Sequence, residues 1–177
     1  MHILSTVTAV VASMSLCACG AWQGVSDTSS SAYQAVFHKQ VKILNVDLNA
    51  RASLNPDEAN RPVSVAVRVY QLKDRKSFDA ASYNDLLKNE RTVLSADLQD
   101  TAGVVVNPGS AASLSQPMRP DTEYIAIVGF FRDPKNDRDW RRVVPRKSLS
   151  ASEPLKFDLV GQELVAANEN PREQPAR

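Results

Sequence analysis

Val63-Ser64-Val65-Ala66-Val67-Arg68-Val69-Tyr70 places a valine at every second position, with small, basic or aromatic residues between them. Side chains of a strand alternate between the two faces of a sheet, so one face here is continuous branched apolar surface. Valine is stiff about χ1 and packs well on a pleated surface. The stretch reads as a strand with one buried face, the clearest in the chain.

Working outward, Ala35 to Leu48 carries Leu44, Val46 and Leu48 alternating with Asn45 and Asp47, a second strand of the same kind. Between these two lies Ala50 to Pro62 (ARASLNPDEANRP), where Asn-Pro, Asp-Glu and Asn-Arg-Pro break the period and make a long polar loop. Downstream, Ser77-Phe78-Asp79 resembles a helix start with Ser77 as N-cap. Short helical turns are expected between Ser77 and Lys88, with Phe78, Ala81 and Leu86 facing inward. Thr92 to Leu98 gives a weaker strand signal. Gly103 to Asn107 (GVVVN) is a β-branched run closed by Pro108-Gly109, a turn pair. Ala112 to Met118 reads as a strand broken by Pro117, and Glu123 to Arg132 (EYIAIVGFFR) is apolar on both faces, as a central strand would be. Asp133 to Asp139 is a hairpin loop, and Trp140 to Lys147 and Leu155 to Val160 are the last two strands. About eight short strands, one helical insertion and turn signals between them predict an all-β protein, an antiparallel two-sheet β-sandwich.

The ends of the chain differ from its middle. Met1 to Ala18 has no Asp, Glu, Lys or Arg, and Ile3 to Leu16 is almost wholly small or apolar. That run is too short for a spanning helix, which needs roughly 20 apolar residues, and fits the core of a secretory signal. Leu16-Cys17-Ala18-Cys19 then resembles the lipobox of bacterial lipoproteins, which implies cleavage after residue 18 and a lipid on Cys19. A plain secretory signal is the alternative. In lipoproteins an Asp after the cysteine commonly holds the protein at the inner membrane; Gly20 stands there instead, which favours the outer membrane. Residues 19–34 include the Gly- and Ser-rich GAWQGVSDTSSS and read as a flexible tether. The sandwich is expected over residues 35–166, and the polar segment 167–177 as a disordered tail. Of the two cysteines, Cys17 leaves with the signal and Cys19 is consumed by lipid. The domain then has no thiol, disulfide or Cys-ligated metal, and an apolar core alone holds it. A net charge of +1, with basic and acidic residues interleaved, gives no argument for nucleic acid.

A specific resemblance rests on an ordered set of short motifs. Val67-Arg68-Val69-Tyr70-Gln71-Leu72-Lys73 is followed by Phe78 and Leu86-Leu87, then Val106-Asn107-Pro108-Gly109. Tyr124-Ile125-Ala126-Ile127-Val128-Gly129-Phe130-Phe131-Arg132 and Trp140-Arg141-Arg142-Val143-Val144 complete it. With the lipobox ahead of them, these resemble the outer-membrane lipoprotein of the type VI secretion membrane complex, the TssJ (SciN) family, over roughly residues 35–161. The resemblance implies a transthyretin-like sandwich tethered to the inner leaflet of the outer membrane and facing the periplasm. It implies a partner, the periplasmic C-terminal region of the large, TssM-type inner-membrane subunit. In that family the loop between the first two strands is the contact element. Here that loop is Ala50 to Pro62, so Ser53, Leu54, Asn55, Pro56, Asp57, Glu58 and Asn60 are the candidate partner-binding residues. No cofactor beyond the covalent lipid, no nucleic acid and no small-molecule substrate is implied.

Other features admit plainer readings. Phe130-Phe131-Arg132 and Trp140-Arg141-Arg142 face each other across a hairpin and could form an aromatic, basic patch; packing of Trp140 into the core is the favoured reading. Asp133, Asp137 and Asp139 start like a calcium loop, but no Gly holds the sixth position and Val144 stands where the closing Glu belongs. Asp121 with Glu123, and Asp97 with Asp100, fall at strand ends and turns. After signal removal His38 is the only histidine, and no Gly-x-Ser-x-Gly elbow occurs, so catalysis is short of parts. Tyr70, Tyr83 and Trp140 would be the aromatics of a carbohydrate-binding module, a rival reading, as is a pilotin of another envelope machine.

Overall fold

In the computed structural model, which describes residues 41–167, the valine ladder lies near the centre of a sheet. The strands are β1 (Ile43–Ala50), β2 (Val65–Leu72), β3 (Leu98–Val106), β4 (Ala111–Pro117), β5 (Tyr124–Phe130), β6 (Arg141–Pro145), β7 (Leu155–Val160) and β8 (Glu163–Ala166). They form two four-stranded sheets, β4-β1-β7-β8 and β3-β2-β5-β6, stacked as a sandwich. Pairing is antiparallel except between β1 and β7, which run parallel. Those two strands are over 100 residues apart in the chain, so no local pattern announces their contact.

Val65, Val67 and Val69 are wholly buried between the sheets. Gln71 shares that face: its Nε2 donates to the Pro117 carbonyl on β4 at 2.9 Å, and its Oε1 accepts from Arg119 N at 2.8 Å and Thr122 Oγ1 at 3.0 Å. Each polar atom of this buried amide is thereby satisfied, as burial requires. Leu44, Val46 and Leu48 face inward from β1 and Leu155, Phe157 and Leu159 from β7. The other face of β2 is covered as well. Helices α1 (Lys76–Ala80), α2 (Tyr83–Lys88) and α3 (Glu90–Val93) lie over it. Phe78 packs on Tyr70 with ring centroids 6.2 Å apart, Tyr70 Oη donates to Glu90 at 2.7 Å, and Arg68 Nη1 donates to the Leu86 carbonyl at 3.2 Å. Burial from both sides explains why β5 is apolar on both faces.

Several local readings change. Ser77 is inside α1, not its cap, and its hydroxyl donates to Asp97. The cap is Ser82, which forms a capping box with Asp85 because Ala81 is extended and separates α1 from α2. Thr92 to Leu98 is strand only at Leu98: α3 ends at Val93, and Leu94, Ser95 and Asp97 turn on backbone hydrogen bonds while Leu94 plugs the core. The run from Leu98 to Val106 is one strand, and the count of eight is completed by β8. That four-residue strand is too short to show a period; it returns on β7 through Gly161, at a φ of 59°, the glycine-first pattern of tight hairpins. Finally, the Asp133 to Asp139 loop contains a helical turn, α4 (Asp137–Trp140), so the last edge strand of that sheet starts at Arg141.

Candidate functional site

The registers put Ala50, Val65, Val106, Ala111, Phe130 and Val160 at one end of the sandwich, and Ile43, Leu72, Pro117, Tyr124 and Leu155 at the other. Arg51 to Ser64 therefore projects from the end opposite Val41. Eight residues of β1 separate the two ends by about 25 Å at roughly 3.3 Å per residue.

This loop is built rather than loose. At its tip, Asp57 N donates to the Arg61 carbonyl at 2.9 Å and Asn60 N to the Asp57 carbonyl at 2.8 Å. The Asp57 carboxylate accepts from Ala59 N at 2.9 Å, Arg61 N at 2.8 Å and Arg61 Nε at 2.9 Å. Asn60 takes the left-handed conformation that closes the turn, φ 58°, which asparagine tolerates better than most residues. These donors, the Arg61 backbone N–H first, with the Arg61 side chain, Ala59 and the Arg132 charge after it, hold the Asp57 carboxyl below its ordinary value.

At its base, Leu54 and Asn55 are buried, at 0% and 2% exposure. Asn55 N donates to the Gly161 carbonyl at 2.6 Å and Val63 N to the Leu54 carbonyl at 3.1 Å. The Asn55 side chain accepts from Arg132 N at 2.8 Å and donates to the Ser64 carbonyl at 3.3 Å. Ser64 Oγ donates to Asn107 Oδ1 at 2.7 Å, and Gly109 N to the Arg51 carbonyl at 3.2 Å. The loops at this end are stapled together through short polar contacts.

Over residues 42–164 the sequence matches the model of the type VI secretion lipoprotein family that includes VasD, EvfM and TssJ. The chain belongs to the TssJ family. Among solved structures it resembles one described as "Type VI membrane complex", with 31% identity and a TM-score of 0.68 over 72% of this chain and 98% of that one. A second, described as "T6SS protein TssM C-terminal domain (869-1107) from EAEC", has 29% identity and a TM-score of 0.63, covering 71% and 98%. The type VI lipoprotein TssJ1 of Pseudomonas aeruginosa shares the fold at 24% identity and a TM-score of 0.58, covering 77% and 98%. A comparison with curated proteins returned no match. TssJ-family proteins are structural lipoproteins of the type VI secretion membrane complex, not enzymes.

In this TssJ-family chain the seven candidate loop residues divide into two groups. Ser53, Glu58 and Asn60 are exposed and Pro56 and Asp57 half-buried, whereas Leu54 and Asn55 face inward. The loop's polar composition conceals that division; only Leu54, apolar in a polar run, hints at an anchor. Arg61 and Pro62, outside the seven, are exposed on the same tip. Cys19, His38, the tether and residues 168–177 lie outside the described residues.

Several of the remaining candidates have structural partners. Trp140 is 3% exposed and meets Tyr83 edge-on at 5.1 Å, while Tyr83 Oη donates to the Phe131 carbonyl. Tyr70 is buried, so the three aromatics form no exposed platform. Arg141 Nη1 donates to the Phe78 and Ala81 carbonyls at 3.2 Å each, and its other nitrogen pairs with Asp137. Asp139 accepts from Lys135 N and Asn136 N at 3.2 and 3.1 Å. Asp100 pairs with Arg119 at 2.8 Å and Asp97 accepts from Ser77. Among the described residues, no three His, Cys, Asp or Glu gather as a metal site.

Proposed function

We propose that this protein is anchored by lipid on Cys19 to the inner leaflet of the outer membrane. Its far end then binds the periplasmic C-terminal region of a TssM-type inner-membrane subunit, helping to build a complex that spans the envelope. The carrying observation is the Asp57–Arg61 turn, a prefolded polar tip at the end of the sandwich away from Val41, where the segment from Cys19 joins. A loop already held in one shape loses little entropy on docking. Family membership supplies the machine, and one similar solved structure is described as a TssM C-terminal domain.

Surface plasmon resonance between residues 20–177 and the purified TssM-type periplasmic domain tests the reading. Replacing Glu58, Asn60 and Arg61 by serine spares the buried Leu54 and Asn55, and binding is expected to fall by about tenfold or more, as when central contacts are removed. Equal binding by both proteins would remove the tip from the interface. No binding by the native domain would discard the partner.

A further inference from the structure

We infer that the docking face is wider than the β1–β2 loop. The segment from Arg132 to Asn136, after β5, belongs to it, and Asn55 is the positioning residue that keeps the two in register. The inference rests on the reading above that this end meets the partner. Its physical basis is the connectivity of one buried amide. Asn55 touches three separate chain segments: Gly161 through its backbone N–H, and Ser64 and Arg132 through its side chain. It is 2% exposed and sits at φ 47°, a left-handed conformation that most side chains avoid.

Arg132 is held from the other side too. Phe131, whose carbonyl accepts from Tyr83 Oη, is 2% exposed and anchors the chain just before it. The 2.8 Å bond from Arg132 N to Asn55 brings the β5 exit against the base of the loop, and the Arg132 charge also helps to lower the pKa of the Asp57 carboxyl. Beyond Arg132, Asp133 and Lys135 are exposed, as are Glu58, Ala59 and Asn60 on the tip. Both segments carry exposed charged or polar side chains, the character of a polar, wet protein interface rather than of an apolar groove. Asn55 contributes nothing to the docking face directly. It determines how often the face is assembled in the free protein.

That distinction is measurable in rates. Losing a contact residue mainly speeds dissociation. Losing a positioning residue lowers the fraction of competent protein, and with it the association rate, while the assembled complex dissociates as before. Asn55→Gly keeps the left-handed backbone but removes both side-chain bonds. If it leaves about a tenth of the molecules assembled, affinity falls about tenfold, through association. Asn55→Asp retains the acceptor for Arg132 N and should recover part of that loss. Gln71→Ala, which cuts an equally buried amide at the opposite end, is the stability control and should leave both rates unchanged.

Hydrogen exchange on the free protein gives a readout that needs no partner. In Asn55→Gly, amides of residues 57–61 and 132–136 should lose protection together while β1 and β2 keep theirs. Native association rates and unchanged exchange in Asn55→Gly would overturn the inference, as would an equal binding loss in Gln71→Ala. Coupled loss of protection with unchanged binding would also overturn it, by removing Arg132 to Asn136 from the docking face. Failure of the native domain to bind would sink the reading beneath it as well, and the exchange result would still report the clamp.

Discussion

Gly129 faces the space between the sheets, where the ring of Phe131 folds back over it. A Cβ at this glycine would lie 2.7 Å from Phe131 Cε2 and 3.0 Å from its Cζ. That is overlap with a buried aromatic ring, not with a flexible tip. Gly129→Ala should therefore destabilise the domain by about 1–3 kcal/mol, the usual cost of forcing extra volume into a packed core. Urea unfolding checks it, and a midpoint at or above that of the native protein would show that the ring moves freely. Since Phe131 precedes Arg132, the same substitution should loosen the Arg132 N–H bond to Asn55. Neither effect is visible in Val128-Gly129-Phe130-Phe131 as a string, because the contact is made by the chain turning back on itself.

The helical insertion is the element that turns an ordinary half-exposed sheet into one buried on both sides. Its second helix starts with a capping box, in which Ser82 Oγ accepts from Asp85 N at 3.2 Å and the Asp85 carboxylate accepts from Ser82 N at 3.0 Å. Ser82→Ala should cost about 1 kcal/mol by chemical denaturation, the usual loss for an N-cap; no change would mean that packing alone holds the helix. Tyr83, on the same helix, docks the insertion on β5 through Phe130 at 5.8 Å and through the Phe131 carbonyl. Burial pushes its hydroxyl from 10.0 up to about 12. A raised pKa means that the folded state holds the proton longer than the unfolded chain does. The associated stability is complete below pH 10 and is lost as pH rises from 10 towards 12. Tyr70, raised for the same first reason, adds to that slope. Tyr83→Phe should flatten the alkaline limb of the stability curve, and an unchanged limb would assign it to other groups.

For the molecule as a whole, position matters more than chemistry. The sandwich separates the loop end from the Val41 end by the length of a strand, and the proposed lipid on Cys19 would hold the domain within a tether's length of the membrane. Cys19→Ser should leave the unfolding curve of the domain unchanged while moving the protein from the membrane to the soluble envelope fraction and stopping secretion. Retention of that variant at the membrane would remove Cys19 as the anchor.

The sequence by itself determined most of the strands. Alternation in β1, β2 and β7, and the two-faced apolar run of β5, follow from a side-chain period of two that packing did not override. It also determined the family, through short motifs in a fixed order. Tertiary structure decided what no local pattern encodes. The parallel pairing of β1 with β7 joins segments over 100 residues apart, and β8 exists because β7 gives it a partner. Thr92 to Leu98, with its mixed apolar pattern, became helix and turn as far as Asp97 because Leu94 fills the core. Within the candidate loop, Asn55 reads like its polar neighbours, yet with Leu54 it is the loop's foundation. The physical reason is that a buried polar group must be satisfied by whatever lies nearest in space, and for Asn55 those groups come from Ser64, Arg132 and Gly161.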